Sequence, residues 1–265
     1  MEGCATLVHW DEVRPSESAA YRRACEIMTS EVNAAALGAF DGGAQHVLVN
    51  DSHSTMRNLI CERLDPRVRV VAGTTKPAFM LEGLSAEHAA AFFIGYHGAV
   101  GDRDAVMPHT YSPRVIHECR LNGTPVGEVS INAAFAGHLG VPVALVSGDA
   151  TTLSEVGRIL PKALQVETKR SIGAHAALCK SPAAVCDELR SAANHALRNI
   201  AAFETASLET PIVMEIDTVT TAHADAVMLS GLFTRLAPRT IRHRAGDAAQ
   251  MYHALMHVIK LGAAA

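Results

Sequence analysis

Short, uninterrupted apolar runs alternate with longer amphipathic segments along most of this 265-residue chain, and this alternation constrains the fold most strongly. A strand whose residues are nearly all apolar must be covered on both faces, as in parallel sheets that lie between helices. The amphipathic segments have the spacing of three and four residues that places apolar side chains on one helix face. We therefore predict an α/β fold of three layers (α/β/α) with a mostly parallel or mixed sheet. The predicted strands are residues 46–49, 68–71, 90–94, 141–146, 164–168, 211–216 and 240–244, and the predicted helices are residues 16–40, 133–139, 151–159, 181–203, 222–232 and 245–261.

One hairpin interrupts this alternation. Asn122 and Gly123 lie between the β-prone stretches 114–121 and 124–130, and Asn-Gly is a strong signal for a two-residue hairpin turn.

Farther along the chain, a long predicted helix ends near residue 203 and Pro211 opens a new strand. We therefore expect a metal-binding α/β domain over residues 1–205 and a small C-terminal α/β subdomain over residues 206–265.

Composition excludes several classes of protein. Hydrophobic residues make up 49% of the chain and charged residues 19%, which separates it from disordered proteins. The formal net charge is −4 and no block of Lys and Arg occurs, so we expect neither nucleic acid nor a membrane surface as a partner. No apolar run reaches the roughly 18 residues of a membrane span, and no secretory signal is visible. We therefore expect a cytoplasmic protein with reduced cysteines.

Three histidines follow predicted strands or lie in the next loop. His53 follows the strand 46–49, His97 follows the strand 90–94, His109 lies in the loop after it, and Glu128 adds a carboxylate after the hairpin turn. The carboxyl ends of strands in an open α/β sheet are where ligands bind. Imidazole and carboxylate ligands suit zinc or a similar divalent ion, and several carboxylates allow a two-metal centre. Because no H-E-x-x-H motif occurs, spacing alone also leaves ordinary loop roles open for each residue.

Two neighbouring polar residues have two interpretations each. Asp51 could orient the imidazole of His53 or, as a turn residue, could cap a helix. Asn132 could donate a hydrogen bond to a developing oxyanion or could begin a helix. A nicotinamide or flavin cofactor is not expected, since no G-x-G-x-x-G follows a predicted strand.

Five short segments are more specific together than any one of them. They are Val49-Asn50-Asp51-Ser52-His53-Ser54, Lys76-Pro77 with Met80-Leu81-Glu82-Gly83-Leu84, Gly95-Tyr96-His97, Val106-Met107-Pro108-His109, and Pro125-Val126-Gly127-Glu128 with Asn132-Ala133. In their order and separations they resemble the zinc-dependent D-aminopeptidase family of the DppA type. The resemblance covers essentially the whole chain.

This resemblance implies a metallopeptidase that removes the N-terminal residue of small peptides, particularly peptides of D-amino acids. It implies two zinc ions per subunit and a homo-oligomer, which is a decamer in the type member. Glu2, His53, His97 and Glu128 match the metal ligands of the family, and His109 matches its catalytic histidine. The implied reaction is amide hydrolysis by a metal-activated water, with His109 as nucleophile or as general acid/base.

The start of the chain differs from the family pattern. The family opens with a strand that ends in a Val-Asp-x-Glu-Gly-like motif, whose Asp is a shared metal ligand, whereas this chain begins Met1-Glu2-Gly3. Losing a strand and a shared carboxylate is expected to weaken metal binding. We therefore expect slow hydrolysis by this chain, and activity once about eight residues precede it. Two other functions remain: a different metal-dependent amidase or esterase on this scaffold, and a catalytically impaired scaffold protein of the same fold.

Overall fold

The computed structural model describes residues 1–265, and its elements follow the predicted alternation closely. None of the helices is long and apolar enough to cross a membrane. In chain order the helices are α1 (Trp10–Val13), α2 (Ala19–Asp41), α3 (Glu128–His138), α4 (Ala150–Ile159), α5 (Pro182–Arg198), α6 (Thr221–Met228) and α7 (Ala248–Gly262). The strands are β1 (Val47–Asn50), β2 (Val68–Val71), β3 (Ala91–Tyr96), β4 (Ile116–Leu121), β5 (Thr124–Pro125), β6 (Val143–Asp149), β7 (Leu164–Gly173), β8 (Ala176–Cys179), β9 (Ile212–Thr218), β10 (Thr234–Arg235) and β11 (Thr240–Ala245).

The strands form three sheets. β1 and β2 pair in parallel, and a second sheet has the order β3-β6-β7-β8, parallel except for β8. The third sheet has the order β10-β11-β9-β4-β5 and is antiparallel throughout. The predicted α/β class with parallel and mixed sheets is therefore confirmed.

Helices cover the second sheet on both faces. Neighbouring residues of a strand point to opposite faces, and Leu145 and Val146 of β6 enter different hydrophobic clusters. Leu145 packs with Ala34 of α2 and Leu189 of α5, whereas Val146 belongs to the largest cluster, which includes residues of α3, α4 and α7. The continuous apolar run of β6 is thus explained by burial on both sides.

The hairpin is shorter than the sequence predicts. Asn122 and Gly123 do form its turn, with φ of 49° and 82°, but the returning strand β5 has only two residues. The chain then enters α3 at Glu128, within the stretch 124–130 that the pattern assigns to a strand. Every residue from 128 to 136 is buried. A helix buried on all sides has no polar face. Its sequence therefore lacks the repeat of apolar and polar residues that would distinguish it from a strand.

The residues before and after the proposed boundary at 205/206 share one sheet and one hydrophobic cluster. Strand β4 from the first part pairs with β9 from the second, with Leu121 opposite Met214. The largest hydrophobic cluster likewise contains residues from both parts, from Leu81 to Val258. The division into residues 1–205 and 206–265 stays a prediction.

Asp149, the last residue of β6, fixes two loops and one helix. Its buried carboxylate accepts hydrogen bonds from the backbone N–H groups of Gly98 at 3.2 Å, Val106 at 3.3 Å and Thr152 at 2.8 Å. The Thr152 bond caps α4. The other two bonds hold the loops that follow β3, so one side chain positions a long irregular stretch.

We expect Asp149→Ala to lower the free energy of unfolding by about 3 kcal/mol or more, because each buried N–H left without a partner costs about 1–3 kcal/mol. Urea denaturation followed by far-ultraviolet circular dichroism measures this loss. Asp247→Ala is the matched control: Asp247 caps α7 through an exposed bond to Gln250 N–H, and losing a cap costs about 1 kcal/mol. Equal losses in the two variants would contradict the role given to Asp149.

Candidate metal centre

Five side chains from separate parts of the chain meet beyond the carboxyl ends of β1 and β3. They are the residues that the sequence singled out, and four of them are almost inaccessible to solvent, with exposed fractions of 4–6%. The side chain of His53 is 10% exposed. Fold topology thus brings together every predicted site residue, namely Glu2, His53, His97, His109 and Glu128.

The two carboxylates are surrounded by the three imidazoles. Glu2 Oε2 lies 3.2 Å from His53 Nδ1, and Glu2 Oε1 lies 3.9 Å from His109 Nε2. Glu128 Oε1 lies 3.5 Å from His97 Nε2 and 3.7 Å from His109 Nε2. Ligand atoms of Glu2, His97 and His109 all lie within 4.8 Å of one another. His109 therefore lies between two carboxylate groups, each of which also faces a histidine of its own.

Each histidine contacts a backbone carbonyl through the ring nitrogen that points away from the carboxylates. A carbonyl can only accept, so this nitrogen carries the hydrogen and the other nitrogen presents a lone pair in the neutral imidazole. Metal-binding histidines have the same arrangement. The bonds join His53 Nε2 to Val13 O at 2.7 Å, His97 Nδ1 to Gly98 O at 3.0 Å, and His109 Nδ1 to Met107 O at 2.9 Å.

Mutual attraction keeps Glu128 and His97 charged although both are buried. Burial alone would raise the pKa of Glu128, but the charge of His97 lowers that pKa to about 2. Burial alone would lower the pKa of His97, but Glu128 raises it to about 9. Burial also tends to raise the pKa of Glu2, and the charges of His53 and of the Met1 amino group lower it well below its usual range.

His109 differs in its charge state. Burial, together with the charge of His97, lowers the pKa of His109 below the ordinary histidine value. The rings of His97 and His109 are stacked, with centroids 3.9 Å apart. Trp10 presents an edge contact to His109 at 5.2 Å. The geometry therefore provides a neutral imidazole in a largely dry site, with Nε2 facing the carboxylates.

The segment that carries Glu2 is irregular and is held by a buried lysine. Lys169 of β7 donates from Nζ to the carbonyls of Glu2 at 2.5 Å, of Cys4 at 2.8 Å and of Leu7. At Gly3 an added Cβ would lie 1.6 Å from the carbonyl oxygen of Tyr96, so no larger residue fits. Sequence reasoning missed Lys169, because nothing in the printed sequence distinguishes it from the exposed Arg170 beside it.

Glu128 is placed by the start of α3. Helix N-termini favour negative charge, and the backbone N–H of Tyr111 donates to Glu128 Oε1 at 2.7 Å. The helix start is itself anchored by Glu155 of α4, which accepts from Gly127 N–H at 2.9 Å and from the Ser130 hydroxyl. Neighbouring helices therefore fix the direction in which Glu128 points.

Asp51 and Asn132, for which the sequence leaves two interpretations each, form hydrogen bonds outside the cluster of five site residues. The carboxylate of Asp51 accepts from the backbone N–H groups of Asn58 and Leu59 at 2.5 and 2.8 Å, so it organises a turn. Orientation of His53 comes from Val13 instead. Asn132 lies inside α3, where its side chain donates to the Tyr96 hydroxyl at 2.8 Å and accepts from the Tyr111 hydroxyl at 2.5 Å.

The donor set matches the chemistry of zinc. Zinc prefers imidazole nitrogen and carboxylate oxygen among the ligands available here. All three imidazoles turn their free nitrogens towards carboxylate oxygens, which is how ligands around a shared cation are arranged. The exposed fractions of 4–6% also exclude most water from competing for these positions.

Comparisons with known proteins identify the family of this chain. A family model described as D-aminopeptidase, peptidase family M55, matches residues 1–257. The D-aminopeptidase of Bacillus subtilis strain 168 is 33% identical over 262 residues, which is 98% of this chain and 94% of that protein. A solved structure described as the Zn-dependent D-aminopeptidase DppA from Bacillus subtilis, a self-compartmentalizing protease, matches with a TM-score of 0.93 at 31% identity, covering 100% of this chain and 96% of that one. The predicted family is thereby confirmed, and the chain belongs to the D-aminopeptidase family of metallopeptidases, M55.

Proposed function

We propose that this protein is a zinc-dependent aminopeptidase that removes the N-terminal residue from small peptides containing D-amino acids. The observation that carries the proposal is the buried cluster of three oriented imidazoles around two carboxylates. The names of the relatives support both the metal and the D-peptide substrate. The expected partner is accordingly a small peptide.

Four of the five residues would hold two zinc ions. Their ligand atoms form two groups, Glu2 Oε2 with His53 Nδ1 and Glu128 Oε1 with His97 Nε2. When bound, zinc polarises the scissile carbonyl and makes water a nucleophile near neutral pH. In the metal-free site His97 carries a proton next to the ionised Glu128, so metal binding to His97 would release that proton.

His109 would act as the general acid/base. Its Nδ1–H is held by the Met107 carbonyl at 2.9 Å, so Nε2 is the atom that accepts a proton from the attacking water. The same atom can return the proton to the amine that leaves. Its lowered pKa keeps the imidazole neutral, as a base must be before it accepts a proton.

We expect the purified protein to hydrolyse D-aminoacyl amides and D-Ala-D-Ala faster than the L-enantiomers, to lose activity on treatment with a chelator, and to regain it with zinc. Simple esters and L-aminoacyl amides, assayed in parallel, separate this function from that of another amidase or esterase. Elemental analysis after gel filtration gives the zinc content of the same sample. No metal and no turnover, with a normal fold, would favour the impaired scaffold.

His109→Ala separates the catalytic role from a ligand role. We expect turnover to fall by about 10²–10⁴-fold, the range for loss of a general acid/base, while the zinc content stays unchanged. His97→Ala is the contrasting variant, in which zinc content itself should fall, and His257→Ala on the exposed face of α7 is the neutral control. Loss of zinc in His109→Ala would make His109 a ligand and refute the assignment.

We also propose a homo-oligomer, a decamer by resemblance to the family. The solved relative is described as self-compartmentalizing. In this chain the antiparallel arm of β7 and β8 presents Ile172 and Leu178, whose exposed fractions are 77% and 69%. These two side chains lie on paired strands of one arm, and neighbouring exposed apolar residues are typical of contact surfaces, whereas a single exposed apolar residue is ordinary.

Sedimentation velocity should show a particle of about ten 28.1-kDa chains. We expect the double variant Ile172→Ser, Leu178→Ser to sediment as smaller species, since the apolar contact is lost. Leu229→Ser, at a residue 85% exposed on another part of the surface, is the matched control. An unchanged particle in the double variant would place the interface elsewhere.

A further inference from the structure

The β7–β8 arm, which comprises residues 170–178, extends past the end of its sheet. The last residue pair between β6 and β7 is Asp149 with Lys169, so farther along the arm the two strands pair only with each other. Two strands alone are marginally stable in water. Contacts with the rest of the protein must therefore hold the arm in its position.

One face of the arm lies against the loop between β3 and β4, which carries His109. Ser171 and Ala177 are opposite each other on this face, and both are half-buried. The Ser171 hydroxyl oxygen lies 3.5 Å from the Ala105 carbonyl oxygen. Ala177 packs against the hydrophobic cluster that contains Met107. The arm therefore contacts the stretch of chain that leads into His109.

The turn of the arm forms a backbone hydrogen bond with this loop. Ala174 and His175 connect the paired strands, and the Ala174 carbonyl accepts from the Met107 N–H at 2.9 Å. The Met107 carbonyl itself accepts from the Nδ1–H of His109, also at 2.9 Å. Met107 thus connects the arm to the imidazole that lies between the two carboxylates.

Met107 has a backbone conformation that depends on its surroundings. Its φ of 50° lies in the left-handed region, which a residue other than glycine occupies only where neighbouring groups hold it there. The side chain of Met107 is completely buried, and the bond to Ala174 fixes the peptide group that precedes it. Loss of that bond is expected to release the conformation and to turn the Met107 carbonyl away from His109.

The second residue of the turn contacts another neighbour of His109. The ring centroids of His175 and His9 are 5.0 Å apart, and His9 caps α1 through a bond from Asp11 N–H at 3.2 Å. The next residue, Trp10, presents its edge to the ring of His109 at 5.2 Å. The turn therefore supports His109 from two sides, through Met107 and through the start of α1.

We propose that the turn of the β7–β8 arm, through Ala174 and His175, positions His109. The turn holds the Met107 carbonyl and the start of α1 in place, so that His109 presents Nε2 to the carboxylates. The inference rests on the proposed function, in which this nitrogen accepts a proton from the attacking water. The positioning itself is open to measurement without substrate.

Deleting Gly173 and Ala176 tests the proposal, because it shortens the arm by about 3 Å and keeps the pair of Ser171 with Ala177. Hydrogen exchange monitored by mass spectrometry should become about tenfold faster or more in residues 105–110, where the Met107 N–H loses its partner. We expect kcat to fall by about 10–100-fold, since small displacements of a reacting group are costly. KM should stay within about twofold, and the zinc content should not change.

Two point variants accompany the deletion. His175→Ala alters an exposed side chain and so leaves the fold intact; it should speed exchange in residues 9–14 and lower kcat by less than the deletion does. Arg170→Ala is the matched control, because it removes an exposed ion pair with Glu167 from the same arm but leaves the turn intact. It should leave both exchange and kcat unchanged.

Several results would overturn the proposal. Unchanged exchange in residues 105–110 of the folded deletion variant would show that the turn does not hold Met107. Faster exchange with an unchanged kcat would show that His109 keeps its place without the turn. A fall in kcat that sedimentation velocity attributes to smaller particles, with unchanged exchange, would assign the effect to assembly. Absence of D-aminoacyl amide hydrolysis by the unaltered, zinc-loaded protein would instead refute the proposed function, and the exchange of residues 105–110 would still decide whether the turn holds this loop.

Discussion

Two buried carboxylates can stay ionised only next to positive charge or hydrogen-bond donors, and the architecture around the site follows from this requirement. Glu2 faces His53 and the Met1 amino group, while Glu128 faces His97 and the Tyr111 N–H. In the absence of metal the protonated His97 provides the positive charge that Glu128 needs. The charges of the cluster are therefore nearly compensated in the metal-free protein. Metal binding then exchanges protons for the ion rather than creating the site.

The loops that carry the ligands have little regular structure, and buried charged side chains provide the bonds that a helix or sheet would have given. Lys169 binds three carbonyls of the segment that carries Glu2. Asp149 binds two N–H groups in the loops after β3, and Glu155 binds the start of α3. Each of these side chains is 5% exposed or less. Buried charges are costly unless they are fully paired, so each one restricts its loop to a narrow set of conformations.

The sequence predicts the elements well where periodicity is strong, and less well where burial removes it. The helix 16–40 and the strand 68–71 agree with α2 and β2 to within a few residues. The pattern assigns the start of α3 to a strand, because an entirely buried helix has no polar face. His53 and His97 could be placed because they follow strands whose ends must converge. The supporting residues could not, because the roles of Lys169 and Val13 depend on contacts between segments far apart in the chain.

The metal centre and the connection between the two parallel sheets depend on the same few residues. No backbone hydrogen bond of a sheet joins β1 to β3. The segment from Met1 onwards instead contacts β3 through Gly3 and β7 through Lys169, while Glu2 reaches His53 beyond the end of β1. The distance between His53 and His97 is therefore set by one carboxylate, one short segment and helix α2, rather than by a sheet. Metal ligands must hold their geometry to within a few tenths of an ångström. The contacts that hold β1 next to β3 therefore also determine how well the metal site is ordered.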